Sequence, residues 1–302
     1  MTASLAIITY NSSKYVLDTL NSAFRQTYQD IELIVSDDCS TDNTFQICRQ
    51  WCEHHGERFV RIVCTQTLHN GGICWNYNHA LKYTKGDWVK FIAGDDILHD
   101  DSIERYLNNT ITGKALYFAG VKHLYEGSGI RESTLPKISD GSAKKQLSEV
   151  IRFAYGVEGS SLFASSNKLS RIGGFDMRFP LTEDLAIAMK SMCDDLPLGL
   201  LKETLVTWRV HSTSVSHNGS KENVAHNHQL NEAKHYYQTR ISEILKRPLH
   251  YYHHAVDYYI VTHYSKGGFH RLLGYSLRAS DIIFWIRKFH PITSVDIVFT
   301  DN

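Results

Sequence analysis

The 302-residue sequence lacks any apolar run of the length, about 18 residues, that a membrane-spanning helix needs. Its first residues, MTASLAIITY, also lack the charged start and long apolar stretch of a signal peptide. Both absences predict a cytoplasmic protein. An excess of positive charge is missing too, since 32 Lys and Arg residues balance 32 Asp and Glu residues. That balance argues against a general nucleic-acid-binding protein, which would carry a basic surface.

Paired cysteine motifs and glycine-rich nucleotide motifs are absent as well. The six cysteines show no CxxC spacing, so we expect them to be reduced and mostly structural. Cys48 and Cys52, with His55 nearby, suggest part of a zinc site, but a cysteine pair that faces the core explains the spacing better, and no zinc is assigned. No GxGxxG follows the first predicted strand and no GxxxxGK[ST] occurs, which excludes the dinucleotide-binding motif and the P-loop.

The first hundred residues alternate between strand and helix patterns. Strands are predicted over residues 4–10, 31–36, 59–64 and 87–93, and helices over 14–26, 44–55, 75–83 and, beyond the last strand, 97–107. This order predicts an α/β fold with a Rossmann-like, mostly parallel sheet flanked by crossover helices. Ligands bind such sheets beyond the carboxyl ends of the strands.

Polar residues follow the predicted strand ends and should therefore rim one cleft. They are Thr9, Tyr10 and Asn11 after the first strand, Asp37 and Asp38 after the second, His69, Asn70, Gly71 and Gly72 after the third, and Asp95 and Asp96 after the fourth. Carboxylates in this position can accept hydrogen bonds from a nucleobase or ribose, or hold a divalent cation against phosphates. The alternative is a set of solvated turns, in which Gly94 supplies a bend and an aspartate caps the next helix.

Four longer segments carry further information. The first segment, near the start of the chain, is IITYNSSKYVLDTLNSAFRQTYQDIELIVSDDCSTDNT, and the second is KGDWVKFIAGDDILHDDSI. The third, over 159–190, is GSSLFASSNKLSRIGGFDMRFPLTEDLAIAMK, and the fourth, over 208–216, is WRVHSTSVS. In this order they resemble the family 2 glycosyltransferases of the GT-A fold, over residues 4 to 216. The resemblance implies a catalytic domain over 1–216, with a nucleotide-binding half (1–100) and an acceptor-binding half (101–216).

The resemblance also implies a UDP-sugar donor and a divalent cation, Mn²⁺ or Mg²⁺. Asp38 matches the position that contacts uracil, and the donor-site residues predicted beside it are Thr9, Tyr10, Asn11, Asp37, Asn70 and Gly71. Asp95 and Asp96 match the metal-binding pair, with Asp96 as the main ligand and Asp95 nearer the ribose, while His211 matches a histidine that approaches the metal or diphosphate. Two positions depart from the family pattern: Ala93 replaces a common aspartate, and Tyr77 replaces a common arginine.

The catalytic base implied by the resemblance is Asp184, in LTEDL. Thr182 should cap the helix that follows, and the helix dipole would help to keep a carboxylate there ionised. Glu183 and Trp208 are assigned to the acceptor side. Displacement by one base and a good leaving group inverts the anomeric configuration, so an α-linked donor would give a β-linked product. The local alternative is that Thr182, Glu183 and Asp184 merely begin an amphipathic helix.

Residues 217–302 differ in composition and are predicted to form a helical extension. Between residues 234 and 288 the sequence contains nine Lys or Arg residues, three acidic residues and many aromatic residues. This pattern suits contact with an anionic membrane, or packing against the catalytic domain or a second subunit. Enzymes of this resemblance often build surface polysaccharides, such as O-antigen, on polyprenyl diphosphate carriers at the cytoplasmic face of the inner membrane. A lipid-linked glycan is therefore the expected acceptor.

Two other functions remain open at this point. A sugar nucleotidyltransferase would share the nucleotide-binding α/β fold, but it should carry a glycine-rich, basic loop after the first strand, and ITYNSSKY does not. A non-catalytic nucleotide-sugar or carbohydrate-binding module would be expected to have lost the acids. Asp38, Asp95, Asp96 and Asp184 are all present.

Overall fold

A computed structural model describes residues 1–110, 113–153, 157–212, 229–234 and 236–237. The strands in the described part are β1 Ala3–Thr9, β2 Ile31–Asp37, β3 Arg61–Gln66, β4 Trp88–Ala93, β5 Ile97–Leu98, β6 Leu116–Tyr125, β7 Gly129–Thr134, β8 Phe163–Ser165 and β9 Leu198–Val210. The helices are α1 Val16–Phe24, α2 Thr44–His55, α3 Ile73–Leu81, α4 Ser102–Asn108, α5 Ala143–Phe153, α6 Ser166–Arg171 and α7 Glu183–Cys193. Single 3₁₀ turns lie at Gly56–Arg58 and Gly159–Ser161.

The first four strands form the predicted parallel sheet, in the order β3-β2-β1-β4. Every residue of β1 and β2 is buried, because the sequence of these strands is almost uninterrupted apolar residues and the sheet is covered on both faces. The register pairs Thr9 with Asp37 and Ile8 with Ala93. The carboxyl ends of β1, β2 and β4 therefore meet at one edge of the sheet.

The second half of the sheet is mixed and returns the chain to this edge. β8 pairs antiparallel with β4, and the order continues β8-β6-β9-β5, with β7 added to β6. Residues Ile97 and Leu98 pair with Thr207 and Val206 of β9. The prediction of a helix from 97 to 107 is wrong in its first turn, because this long-range pairing takes the two apolar residues into a strand and α4 begins only at Ser102.

The chain divides into two units, Met1–His226 and Asn227–Asn302. The predictions of a basic, aromatic helical extension and of membrane contact fall outside the described residues, apart from the helical residues 229–234 and 236–237. Within the described part of the chain, every helix is too short or too polar to cross a bilayer.

Candidate active site

Asp37 ends β2 and is fully buried. Its carboxylate accepts hydrogen bonds from Thr9 Oγ1 (2.8 Å), Ser40 N (2.8 Å), Ser40 Oγ (2.6 Å) and Gln66 Nε2 (2.9 Å). A carboxylate offers about four acceptor positions, and these four donors fill them. Asp37 and the buried Thr9 hydroxyl therefore fix the loop after β2, and their role as nucleotide contacts stays a prediction.

Asp38 organises the loop His69–Gly72, which follows β3. Its Oδ1 accepts hydrogen bonds from Gly71 N (3.0 Å) and Thr67 Oγ1 (3.1 Å), and its Oδ2 accepts one from Gly72 N (2.7 Å). Gly72 has φ +83°, and a Cβ on Gly71 would lie 2.3 Å from the Trp75 ring, so both glycines are required. Asp38 retains one acceptor position on Oδ2, which gives it the capacity for a further hydrogen bond.

Three other predicted donor-site residues lie in the surrounding loops. Asn11 adopts a left-handed conformation (φ 48°), and its Oδ1 accepts a hydrogen bond from Thr41 N at 2.9 Å, which ties the loops after β1 and β2 together. Asn70 is exposed, and its Oδ1 accepts from Gly72 N at 3.0 Å. Tyr10 is 47% exposed. All three residues are exposed, so their side chains can meet a ligand.

Asp95 and His211 form the central contact of the site. Because β9 returns alongside β5, it places His211 next to the loop after β4, and His211 Nε2 lies 3.0 Å from Asp95 Oδ2. His211 is only 8% exposed, and its ring packs at 4.6 Å between centroids against Tyr15. The structure thus brings together two residues that are 116 positions apart in sequence.

Asp96 points into the protein and is 1% exposed. Its Oδ1 accepts a hydrogen bond from the backbone N–H of Arg209 at 2.9 Å. Burial raises the pKa of Asp96 well above its usual range, and the charge of neighbouring Asp95 raises it further. Asp96 is thus a buried carboxyl group, while Asp95 is the member of the pair that meets His211.

Arg209 and Tyr15 support this arrangement and were not predicted from the sequence. Arg209 Nε donates to the carbonyl of Asp95 at 3.0 Å, and its terminal nitrogen donates to Asp18 at 2.7 Å. The guanidinium also lies 4.8 Å from the centre of the Tyr15 ring. The motif WRVH contained the signal for Arg209, because residues two apart along an extended chain, such as Arg209 and His211, lie on the same face.

Asp184 lies in the first turn of α7 and is held by backbone donors. Its Oδ1 accepts from Leu185 N at 2.7 Å, and its Oδ2 accepts from Gly159 N at 3.1 Å. Thr182 occupies the N-cap position, but its buried hydroxyl has no hydrogen-bond partner among the described residues. The predicted side-chain cap is therefore wrong, and the turn at Gly159 orients Asp184 instead.

Glu183, beside Asp184, sits in an environment that disfavours its charge. Burial, and then the charge of Asp184, raise the pKa of Glu183 to about 8. Glu183 therefore holds a proton at neutral pH and is a poor proton acceptor there. The two neighbouring acids thus differ in their environments, as expected where only one of them acts as a base.

Tyr77, at the position that departs from the family pattern, is a core residue. The ring is buried and stacks on Phe175 with 4.4 Å between centroids. Its pKa is raised well above the usual value by burial, and then by the charges of Glu183, Asp96 and Asp184.

Lys90, in the middle of β4, is a buried cation that sequence reasoning missed. Its Nζ donates to the carbonyls of Phe91, Ser160 (2.6 Å) and Leu162 (3.3 Å). Burial lowers its pKa to about 7. Lys90 thus ties β4, the strand before Asp95, to the turn that contacts Asp184. A lysine inside the apolar run WVKFIA was the available signal.

The predicted acceptor-side residue Trp208 packs perpendicular to His123, with 4.9 Å between ring centroids. His123 in turn lies 3.1 Å from the carboxylate of Glu158, the residue before Gly159. Trp208 is therefore connected through His123 to the same turn that contacts Asp184.

The order of the strands in the sheet defines a GT-A fold, and solved structures agree. Staphylococcus aureus TarS 1–349 in complex with UDP aligns with TM-score 0.59 and 18% identity, over 99% of this chain and 95% of that chain. Mannosyltransferase PcManGT from Pyrobaculum calidifontis, in complex with GDP-Man and Mn²⁺, aligns with TM-score 0.58 and 15% identity, over 96% and 81%. The predicted GT-A fold is confirmed.

The family follows from the sequence. The model of glycosyl transferase family 2 matches residues 4–159, a little more than half of the chain, and the protein belongs to this family. WfaP of Escherichia coli, a UDP-Glc:alpha-D-GlcNAc-diphosphoundecaprenol beta-1,3-glucosyltransferase, is 27% identical over 223 residues, which are 72% of this chain and 81% of WfaP. An uncharacterized glycosyltransferase of Rickettsia felis is 28% identical over 236 residues, and there the chain spans only 36% of its relative.

Proposed function

We propose that the protein is a metal-dependent, inverting glycosyltransferase that moves a sugar from a UDP-sugar to a hydroxyl group of a glycan acceptor. The observation that carries the proposal is the contact between Asp95 and His211 at the carboxyl edge of the sheet. In the sheet, Asp38 follows β2 on one side of β4, and Asp184 contacts the turn before β8, which lies on the other side of β4. These positions suit a nucleoside, a diphosphate and an acceptor hydroxyl in that order.

The residues present fit a divalent cation. Asp95 and His211 bring an oxygen and a nitrogen donor within 3.0 Å of each other, beside the buried carboxyl group of Asp96. The described part of the chain contains no group of three or more metal-ligating side chains, so the ligands we name there leave coordination positions for other groups. Mg²⁺ and Mn²⁺ sites in nucleotide enzymes commonly combine one or two side chains with substrate phosphates. The cation would stabilise negative charge on the departing diphosphate.

The geometry favours Asp95 as the metal ligand of the acidic pair, whereas the sequence analysis assigned that role mainly to Asp96. Asp95 meets His211, whereas Asp96 is buried and accepts a hydrogen bond from the backbone of Arg209. We therefore assign the metal to Asp95 and His211, and give Asp96 the role of holding the loop against β9.

Asp184 is the proposed base. Hydrogen bonds from Gly159 N and Leu185 N fix the orientation of its carboxylate, and protonated Glu183 does not compete with it for a proton at neutral pH. In the reaction a carboxylate oxygen of Asp184 accepts the proton of the acceptor hydroxyl. The oxygen of that hydroxyl group attacks the anomeric carbon of the donor sugar at the same time. The bond between the anomeric carbon and the diphosphate oxygen breaks in the same displacement, which inverts the configuration.

The acceptor we propose is a polyprenyl-diphosphate-linked glycan in surface polysaccharide synthesis, such as that of O-antigen. Support comes from WfaP, whose name gives it a diphosphoundecaprenol-linked acceptor. Such an acceptor would place the reaction at the cytoplasmic face of the inner membrane, with residues 217–302 as the candidate for peripheral membrane contact.

The test is a transfer assay with UDP-glucose, UDP-galactose and their N-acetyl forms, Mn²⁺, and a synthetic acceptor that carries one sugar on a lipid diphosphate. We expect acceptor-dependent release of UDP and a β-linked product by proton NMR. Asp184→Asn should abolish that release. An α-linked product would refute inversion, and nucleotide binding without transfer to any acceptor would refute the enzymatic proposal.

A further inference from the structure

The 3₁₀ turn Gly159–Ser161 is held by two side chains that come from other elements of the fold. Lys90, in β4, donates from Nζ to the first and third carbonyl groups of residues 160–162, at 2.6 and 3.3 Å. Tyr106, in α4, donates from its hydroxyl group to the second of these carbonyl groups at 2.5 Å. Three successive carbonyl groups in and after the turn thus accept hydrogen bonds from β4 and α4.

Both side chains lie in the interior, where water does not compete for their hydrogen bonds. Lys90 and Tyr106 are fully buried. The Lys90 ammonium group has three N–H donors, and the carbonyl of Phe91 accepts the third. The Tyr106 ring stacks on Phe163 with 4.8 Å between centroids, which fixes the direction of its hydroxyl group. Loss of either donor should therefore shift the turn until its carbonyl groups find other partners.

The carbonyl groups of the turn are linked to the N–H of Gly159. Leu162 N donates to the carbonyl of Gly159 at 3.0 Å, and this bond closes a short ring that contains the carbonyl groups of residues 160 and 161. Gly159 N in turn donates to Asp184 Oδ2 at 3.1 Å. A Cβ on Gly159 would lie 3.2 Å from that of Asp184, so the turn has little room to shift without moving the carboxylate.

The contact from Gly159 reaches the base from outside α7. A second hydrogen bond to the carboxylate comes from Leu185 N, which belongs to α7 and moves with Asp184. The Gly159 N–H therefore sets the direction of the carboxylate relative to β4. This strand ends two residues before the proposed metal ligand Asp95. The strand that leads to the metal side of the site thus also holds, through Lys90, the turn on the base side.

We propose that Lys90 and Tyr106 are positioning residues for sugar transfer, which hold the turn Gly159–Ser161 where its first N–H orients the carboxylate of Asp184. The inference rests on the proposed function, since it concerns the base of that reaction. Neither side chain reaches the surface to meet a substrate, because both are fully buried. Their loss should therefore lower kcat and leave the KM for the donor unchanged.

The first experiment measures hydrogen exchange of the Gly159 amide by NMR on the full chain, in wild type, Lys90→Met and Tyr106→Phe. Lys90→Met keeps a side chain of similar length without donors, and Tyr106→Phe removes only the hydroxyl group. Exchange at Gly159 should be about tenfold faster or more in either variant, because its hydrogen bond to Asp184 opens more often.

Two control variants remove hydrogen bonds of the same kind elsewhere. Lys168 Nζ donates to the carbonyl of Lys114 at 2.7 Å, and the Tyr28 hydroxyl group donates to that of Met1. Lys168→Met and Tyr28→Phe should leave exchange at Gly159 unchanged. Equally fast exchange in the controls would indicate general destabilisation and would overturn the inference.

The second experiment is the transfer assay on the same variants. Lys90→Met and Tyr106→Phe should lower kcat about tenfold or more, because a small misplacement of a catalytic group is enough to slow the reaction, and the KM for the UDP-sugar should not change. If Lys90→Met does not fold, Tyr106→Phe decides the question alone, since it keeps the ring that stacks on Phe163.

Exchange at Gly159 as slow in the variants as in the wild type, or a normal kcat in a variant with faster exchange, would overturn the inference. A wild type that transfers no sugar would count against the proposed function instead. The exchange rates would still confirm or refute that the two side chains hold the turn.

Discussion

Replacing Glu183 with glutamine should stabilise the protein at alkaline pH and leave its stability unchanged at acidic pH. The pKa of Glu183 is about 8 in the folded protein, compared with an ordinary value of 4.5. Between these values the folded state binds a proton that the unfolded state has lost. The free energy of unfolding of the wild type therefore falls as the pH rises through this window, whereas a glutamine at this position has no proton to lose.

The magnitude follows from the width of the window. The slope is about 1.4 kcal/mol per pH unit, so the full effect is at most on the order of 5 kcal/mol. For a domain of this size, 1 kcal/mol corresponds to roughly 3 °C in melting temperature, or about 4 °C per pH unit.

The assay is thermal unfolding of wild type, Glu183→Gln and the exposed control Glu57→Gln between pH 4.5 and 8.5. We expect the melting temperature of Glu183→Gln to match that of the wild type at the acidic end, and to exceed it by a growing margin above about pH 5. The control should follow the wild type throughout. A difference between Glu183→Gln and wild type that does not vary with pH would refute the burial argument.

Three further predictions concern the reaction and the donor site. Asp184→Asn should lower kcat by roughly 10²- to 10⁴-fold in the transfer assay, with the KM for the donor unchanged, because it removes only the base; near-normal turnover would place the base elsewhere. Gly159→Ala should lower kcat, because its Cβ would lie 3.2 Å from Asp184 Cβ and 3.3 Å from Glu183 Oε1, whereas Gly56→Ala meets no atom within 4 Å and should have no effect; equal activities would remove the turn from the site. Asp38→Asn should weaken UDP binding in calorimetry about tenfold or more and lower the melting temperature, because an amide cannot accept all three hydrogen bonds that the carboxylate accepts; unchanged affinity would exclude Asp38 from the nucleotide site.

The fold was predictable where the local pattern and the tertiary structure agree. α2 spans Thr44–His55, as its apolar spacing predicted, and β1, β2 and β4 lie within one or two residues of their predicted bounds. The segment after β4 could not be predicted in this way. Ile97 and Leu98 fit a helical pattern, and only their pairing with β9, more than a hundred residues later, makes them a strand.

The site was predictable in its chemistry but not in its hydrogen bonds. Asp37 and Asp38 are adjacent acids at the end of β2. The sequence alone does not show that donors from the ends of β1 and β3 and from Ser40 saturate the first and leave capacity on the second. The hydroxyl of Thr182 illustrates the same difficulty, since a residue type that favours capping makes no cap here. Lys90 had a visible signal, but its partners on the turn after residue 158 depend on the fold.

The most direct test of the central claim is a thermal-shift panel with UDP-, GDP- and dTDP-sugars, each with and without Mn²⁺, on the wild type and on Asp95→Asn. A ligand that binds only the folded state raises its stability, by about 2.7 kcal/mol at a hundred times its Kd. We predict that a UDP-sugar raises the melting temperature of the wild type only when Mn²⁺ is present, and that Asp95→Asn loses this rise. A rise that is independent of metal or of Asp95, or no rise with any UDP-sugar, would contradict the claim that Asp95 and His211 hold a metal-bound UDP-sugar.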